Sequence, residues 1–114
     1  MKKYILFFLL TINCIGEEIS AEKVNRIVAA IYKIEGGERA RVPYGILGVK
    51  VKNKAEARRV CENTVKNNWK RWERAGKKGD YLTFLAARYC PPQVDPIGNR
   101  RWNRNIRIVL RESF

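Results

Sequence analysis

The stretch that decides the fold runs from residue 21 to residue 37 and reads AEKVNRIVAAIYKIEGG. Its apolar residues recur at the three- and four-residue spacing of one helix face, at Val24, Ile27, Val28, Ile31 and Ile34. This spacing predicts an amphipathic helix over about residues 18–35. Gly36 and Gly37 are expected to end it, because glycine readily adopts the left-handed backbone found after a helix.

The rest of the chain predicts three further helices and one short insertion. The insertion covers residues 38–53, where Tyr44 to Gly48 is typical of a turn and Val49 and Val51 alternate with lysines as in a short strand. The later helices are predicted over residues 55–75, 81–89 and 100–111. We therefore expect a mainly α fold of about four helices, with a small irregular or β insertion after the first.

The first sixteen residues predict a cleavable export signal. Lys2 and Lys3 precede a mostly apolar, uncharged run from Tyr4 to Ile15, which is shorter than the roughly twenty residues of a membrane span. Small residues at Cys14 and Gly16 suit cleavage after Gly16. An uncleaved membrane anchor or a buried strand is the alternative, and lipidation at Cys14 is less favoured.

Cleavage there leaves residues 17–114 as a single domain in a secreted or periplasmic protein. The whole chain has 114 residues and a net charge of +13, and loss of Lys2 and Lys3 lowers that charge to +11. Such a basic surface favours an anionic cell envelope as partner. Nucleic acid is the competing partner, but no nucleic-acid recognition motif is present, and we expect a monomer without a specific nucleic-acid ligand.

The residue types limit the chemistry. The chain has no histidine, which excludes histidine metal ligands and Ser-His or Cys-His catalysis, and three cysteines cannot build a four-thiolate zinc site. No cofactor or metal is therefore expected. Once Cys14 is removed, Cys61 and Cys90 remain as a pair, which predicts a disulfide in an oxidising compartment. Two buried free thiols are the alternative.

Glu35 is the strongest candidate for a catalytic group. It lies four residues after Ile31, on the apolar face, and in the last helical turn, where the helix dipole disfavours negative charge. Both effects favour the protonated carboxyl that a general acid requires. The alternative is an exposed helix-end glutamate beside Lys33.

Three short segments resemble soluble lytic transglycosylases and goose-type lysozymes. In that family a helix ends in the catalytic glutamate and a glycine-containing turn follows, as Glu35 and the segment from Tyr44 to Leu47 do here. Residues 87–91 resemble a later Ala-Tyr-Asn motif, and Asn99 and Trp102 resemble the last-helix pattern. Glycine stands at position 48, where the family usually has glutamine.

The resemblance implies a lysozyme-like α+β catalytic domain that acts on peptidoglycan glycan strands. Glu35 would act as general acid and base on the β-1,4 bond between N-acetylmuramic acid and N-acetylglucosamine, leaving 1,6-anhydro ends. The expected substrate-binding residues are Tyr44, Gly45, Ile46, Tyr89, Asn99 and Trp102. The Tyr89 hydroxyl is expected to bond Glu35 or an N-acetyl group.

Two other activities fit the same pattern. A hydrolytic lysozyme needs a second carboxylate, and none stands out in the sequence, which favours the single-glutamate reaction. A non-catalytic, cationic peptidoglycan-binding module would account for the missing glutamine at Gly48.

Overall fold

The computed structural model describes residues 18–45 and 50–113, with side chains described as far as Arg111. Its four α-helices are α1 (Ala21–Ile34), α2 (Lys54–Arg74), α3 (Tyr81–Tyr89) and α4 (Pro96–Ser113). Two 3₁₀ turns, Gly37–Arg39 and Pro43–Gly45, follow α1. The predicted mainly α fold with about four helices is confirmed.

Side-chain caps set where the helices begin. Ser20, Asn53 and Asp80 each stand directly before a helix and accept a hydrogen bond from the backbone amide three residues later. Before α4, Asp95 accepts a bond of 2.8 Å from the Gly98 amide, and Pro96 opens the helix. The helix therefore begins at residue 96, four residues earlier than its apolar spacing predicts.

Helix α1 carries the centre of the core and packs against α2, α4 and the second 3₁₀ turn. The largest fully buried side chains come from all four helices: Val28, Ile31, Cys61, Val65, Leu85 and Ile106. Burial of each such aliphatic side chain contributes about 1.5–3 kcal/mol. The apolar face predicted for α1 is confirmed from Val24 to Ile31, whereas Ile34 is only half-buried.

The insertion after α1 is irregular, and the strand predicted there is wrong for the described residues. Val51 belongs to no regular secondary structure, and Val49 lies outside the described residues. Instead, the Pro43–Gly45 turn folds over the end of α1, with Tyr44 and Gly45 both in the left-handed region at φ 61° and 64°. The Tyr44 ring is 4% exposed and lies 5.0 Å from the Tyr32 ring, and its burial offsets the roughly 1–2 kcal/mol cost of that backbone conformation.

The N-terminal segment predicted as an export signal, residues 1–16, lies outside the described residues, so the signal stays a prediction. Among the helices that the structure does describe, none is both long enough and apolar enough to cross a lipid bilayer.

Candidate functional site

Glu35 is the residue directly after α1, and its side chain is half-buried. Its backbone amide still bonds the Ile31 carbonyl at 3.0 Å, so the end of the helix fixes where the side chain starts. Trp102 of α4 donates its indole N–H to Glu35 Oε1 at 3.0 Å. The carboxyl is thus held between the end of one helix and the buried face of another.

Gly45 lies against the same carboxyl. A Cβ atom at this glycine would stand 2.6 Å from Glu35 Cδ and 2.7 Å from Oε2, closer than any side chain tolerates. A side chain here would push the Glu35 carboxyl out of its present position, and the left-handed backbone of this residue independently favours glycine. Gly45 and Trp102, two of the site residues predicted from the sequence, therefore both contact Glu35 in the structure.

Tyr89 reaches this cluster through Trp102. The two rings stack with centroids 5.0 Å apart and planes 12° from parallel, and Trp102 is 8% exposed. The expected bond from the Tyr89 hydroxyl to Glu35 is not formed, because that hydroxyl faces Cys61 Sγ at 3.4 Å. Burial raises the pKa of Tyr89, so its hydroxyl stays protonated.

The remaining predicted substrate-binding residues have structural partners or lie outside the described residues. Tyr44 is buried, and its hydroxyl is hydrogen-bonded to Arg58, which raises the pKa of that guanidinium. Asn99 donates to the Cys90 carbonyl at 2.8 Å and so ties the end of α3 to the start of α4. Ile46 lies outside the described residues.

The predicted disulfide between Cys61 and Cys90 is not formed: both are free thiols in the structure. Cys61 is buried on α2 with its sulfur against the Tyr89 hydroxyl, whereas Cys90 lies just after α3, where the backbone leaves the helix. Burial raises the pKa of Cys61 to about 11. The structure therefore agrees with the alternative of two free thiols, except that only Cys61 is buried and Cys90 is half-buried.

A second cluster beside Glu35 was missed by the sequence analysis. Glu38 Oε1 accepts from Lys54 Nζ and from the Tyr32 hydroxyl, each at 2.6 Å, and the Lys54 cation lies over the Tyr32 ring. Both hydrogen bonds lower the pKa of the Glu38 carboxyl, and the bond from Lys54 has the larger effect. Tyr32 and Glu38 are six positions apart across the end of α1, so no helical spacing indicates their contact, and nothing in the sequence indicates Lys54.

The arrangement fixes how the Glu35 carboxyl can exchange a proton. An indole N–H only donates, so Oε1 has to be an acceptor whether the carboxyl is neutral or ionised. In a neutral carboxyl the carbonyl oxygen is the stronger acceptor, so this bond favours the proton on Oε2, next to Gly45. The cluster holds one carboxyl in one orientation, which is what a residue acting first as an acid and then as a base requires.

Among the described residues, no three His, Cys, Asp or Glu side chains are grouped so that they could hold a metal ion. A cavity of about 340 Å³ lies elsewhere, between Trp69, Trp72 and Tyr81 and the start of α1. Both tryptophans pack against Tyr81, in keeping with a packing role. This cavity shares no lining residue with the Glu35 cluster.

Comparison with known proteins gives no relative: no family model, no curated protein and no solved structure matches this chain.

Proposed function

We propose that this chain is an exported lytic transglycosylase that cleaves the β-1,4 bond between N-acetylmuramic acid and N-acetylglucosamine in peptidoglycan. The observation that carries the proposal is the Glu35 carboxyl, which ends α1, accepts the Trp102 indole N–H and abuts Gly45. The sequence resemblance supplies the substrate, and the contacts of Glu35 support its role as the reacting carboxyl.

The reaction requires two proton transfers at one carboxyl. Glu35 Oε2 gives its proton to the glycosidic oxygen as the bond to C1 of the muramoyl sugar breaks. The carboxylate then takes the proton of the C6 hydroxyl while that oxygen bonds to C1, which closes the 1,6-anhydro ring. Glu35 ends the cycle protonated, as it began, and no water is consumed.

A hydrolytic lysozyme needs a second carboxylate that acts as a nucleophile or activates water. Glu38 is the acidic residue nearest to Glu35 in sequence, and its Oε1 is already occupied by Lys54 and Tyr32. Its hydrogen bonds therefore support a structural role at the base of the insertion.

Purified protein incubated with peptidoglycan sacculi tests the proposal. Glu35→Gln keeps the size of the side chain but cannot transfer the proton, so release of soluble fragments should fall by about a hundredfold or more. Glu38→Gln is the matched control: it changes the same residue type three positions away and should retain at least half of the activity. Circular dichroism should show equal helix content in all three proteins.

Mass spectrometry of the fragments separates the two catalytic alternatives. Anhydro ends are expected, and ends heavier by one water, about 18 Da, would instead identify a hydrolase. Full activity in Glu35→Gln would refute the assignment of the catalytic residue. Co-sedimentation of the wild-type protein with sacculi without any fragment release would indicate a binding module.

A further inference from the structure

One side of α4 presents arginines and isoleucines to solvent. Exposed residues follow each other at helical spacing, and they define the outer face of α4: Ile97, Arg100, Arg101, Arg104, Ile108 and Arg111. The opposite side of the helix holds Trp102, Ile106 and Leu110 in the core. The helix is therefore fixed to the bundle by one side, and its orientation relative to the rest of the chain is set.

The charge of this face is unbalanced. From Pro96 to Arg111 the helix contains no acidic residue, and among the described acidic side chains none forms an ion pair with Arg100, Arg101 or Arg104. Arg107 differs, because it points toward α3 and pairs with Asp80 at 2.7 Å. The outer face thus carries positive charge that the described part of the chain leaves uncompensated.

The apolar residues of this face are unusually exposed. Val94, just before the helix, is 82% exposed, Ile97 is 54% exposed and Ile108 is 44% exposed. The two isoleucines are eleven positions apart, about 16 Å along the helix axis, and Arg100, Arg101 and Arg104 lie between them. Aliphatic side chains at both ends of a basic stripe suit a partner that offers anionic groups and an apolar layer together.

We propose that the outer face of α4 docks on an anionic lipid surface. The arginines would contact lipid phosphates while Ile97 and Ile108 enter the region between headgroups and acyl chains, with the helix lying in the plane of the interface. A nucleic acid fits less well, because its phosphates would engage the arginines but leave the isoleucines in water. This docking goes beyond the proposed peptidoglycan cleavage and does not depend on it.

Vesicle co-sedimentation tests the proposal with the protein as purified from the cell. The probes are vesicles of phosphatidylcholine alone and of phosphatidylcholine mixed with phosphatidylglycerol. A variant with Arg100, Arg101 and Arg104 changed to Gln should lose at least about tenfold in binding to the mixed vesicles. The matched control changes Lys66, Lys70 and Arg74 to Gln on the exposed side of α2, removes the same charge, and should lose less than about threefold.

The isoleucines separate lipid insertion from simple attraction. Ile97→Ser together with Ile108→Ser should lower binding to the mixed vesicles at least about threefold, with no effect on binding to a DNA duplex. Equal losses in the two charge variants, or unchanged vesicle binding in the double serine variant, would overturn the proposal. So would a DNA duplex that binds more tightly than the mixed vesicles at the same salt concentration. Unchanged circular dichroism should verify that each variant folds.

Discussion

Trp102 orients the Glu35 carboxyl through one hydrogen bond, and its ring is held in place by the stack on Tyr89. The indole N–H of Trp102 therefore orients the Glu35 carboxyl, whereas its ring surface provides the packing against Tyr89. Replacement by phenylalanine removes the N–H donor and keeps most of the stacking surface. That separation makes Trp102 a testable positioning residue.

Trp102→Phe should lower fragment release from sacculi by about ten- to a hundredfold, because a carboxyl without its donor spends less time in the reactive orientation. Trp69→Phe is the matched control, because Trp69 packs in the distant cluster with Trp72 and Tyr81. Fragment release by this variant should stay within about twofold of the wild-type value. The pH profile of activity should also change only in Trp102→Phe. Equal activities in the two variants would contradict a positioning role.

The two cysteines should differ in reactivity in the native protein. In a Cys14→Ser background at pH 8, an aromatic disulfide reagent should label Cys90 at least about tenfold faster than Cys61, because only the thiolate attacks and the Cys61 thiol is buried with a pKa of about 11. Mass spectrometry of peptides after brief labelling measures the ratio. Labelling of neither cysteine until a reductant is added would restore the disulfide first expected from the sequence.

At the scale of the elements, Asp80 joins two helices. It caps α3 by accepting from the Thr83 amide at 3.0 Å, and it accepts from Arg107 of α4 at 2.7 Å. Its partial burial alone would raise the pKa of the carboxyl, but the bonds from Arg107 and Thr83 outweigh that effect and lower it. One exposed side chain thus links helix initiation to helix packing.

Asp80→Ala should lower the free energy of unfolding near pH 7 by about 1–2 kcal/mol, the usual cost of a lost N-cap. Because the pKa of Asp80 is lowered by folding, its stabilisation is present above the carboxyl's ordinary value near 4 and is lost as the pH falls through the folded pKa. Urea unfolding at a series of pH values should show that the difference in free energy of unfolding between wild type and variant becomes smaller below about pH 4. Ser20→Ala is the control: it removes the 3.2 Å cap bond of α1, but the lost group is an uncharged hydroxyl. A gap that stays constant down to pH 2 would contradict this role of the Asp80 charge.

The elements also show where sequence reasoning stops. Repeated apolar spacing predicts α1 and α2 to within a few residues, because the buried face of a helix has to recur every three to four positions. For α3 the Asp80 cap and the two prolines after Cys90 mark the ends. The start of α4 was missed because it depends on the Asp95 side chain and Pro96 instead of on periodicity. In the described residues the predicted strand is wrong, because alternation over three residues is too short to specify a sheet without a partner strand.

For the molecule as a whole, the candidate site depends on contacts that local patterns do not contain. Sixty-seven positions separate Glu35 from Trp102, and no spacing rule links them. Their expected proximity came only from the family resemblance, as did the place of Gly45 near the glutamate. Nothing in the sequence indicated that Tyr89 would turn toward Cys61, or that Arg58 would meet Tyr44.

The support of Glu35 by Gly45 and Trp102 has a consequence for when the protein can act. Glu35 and Gly45 lie ten residues apart, but Trp102 follows 67 positions after Glu35, so all three meet only after α4 has been synthesised and packed against α1. A nascent chain that has not yet reached Trp102 carries Glu35 without the indole N–H that its carboxyl accepts. On the function proposed above, the glutamate would therefore lack its orienting donor until the chain has been made as far as α4.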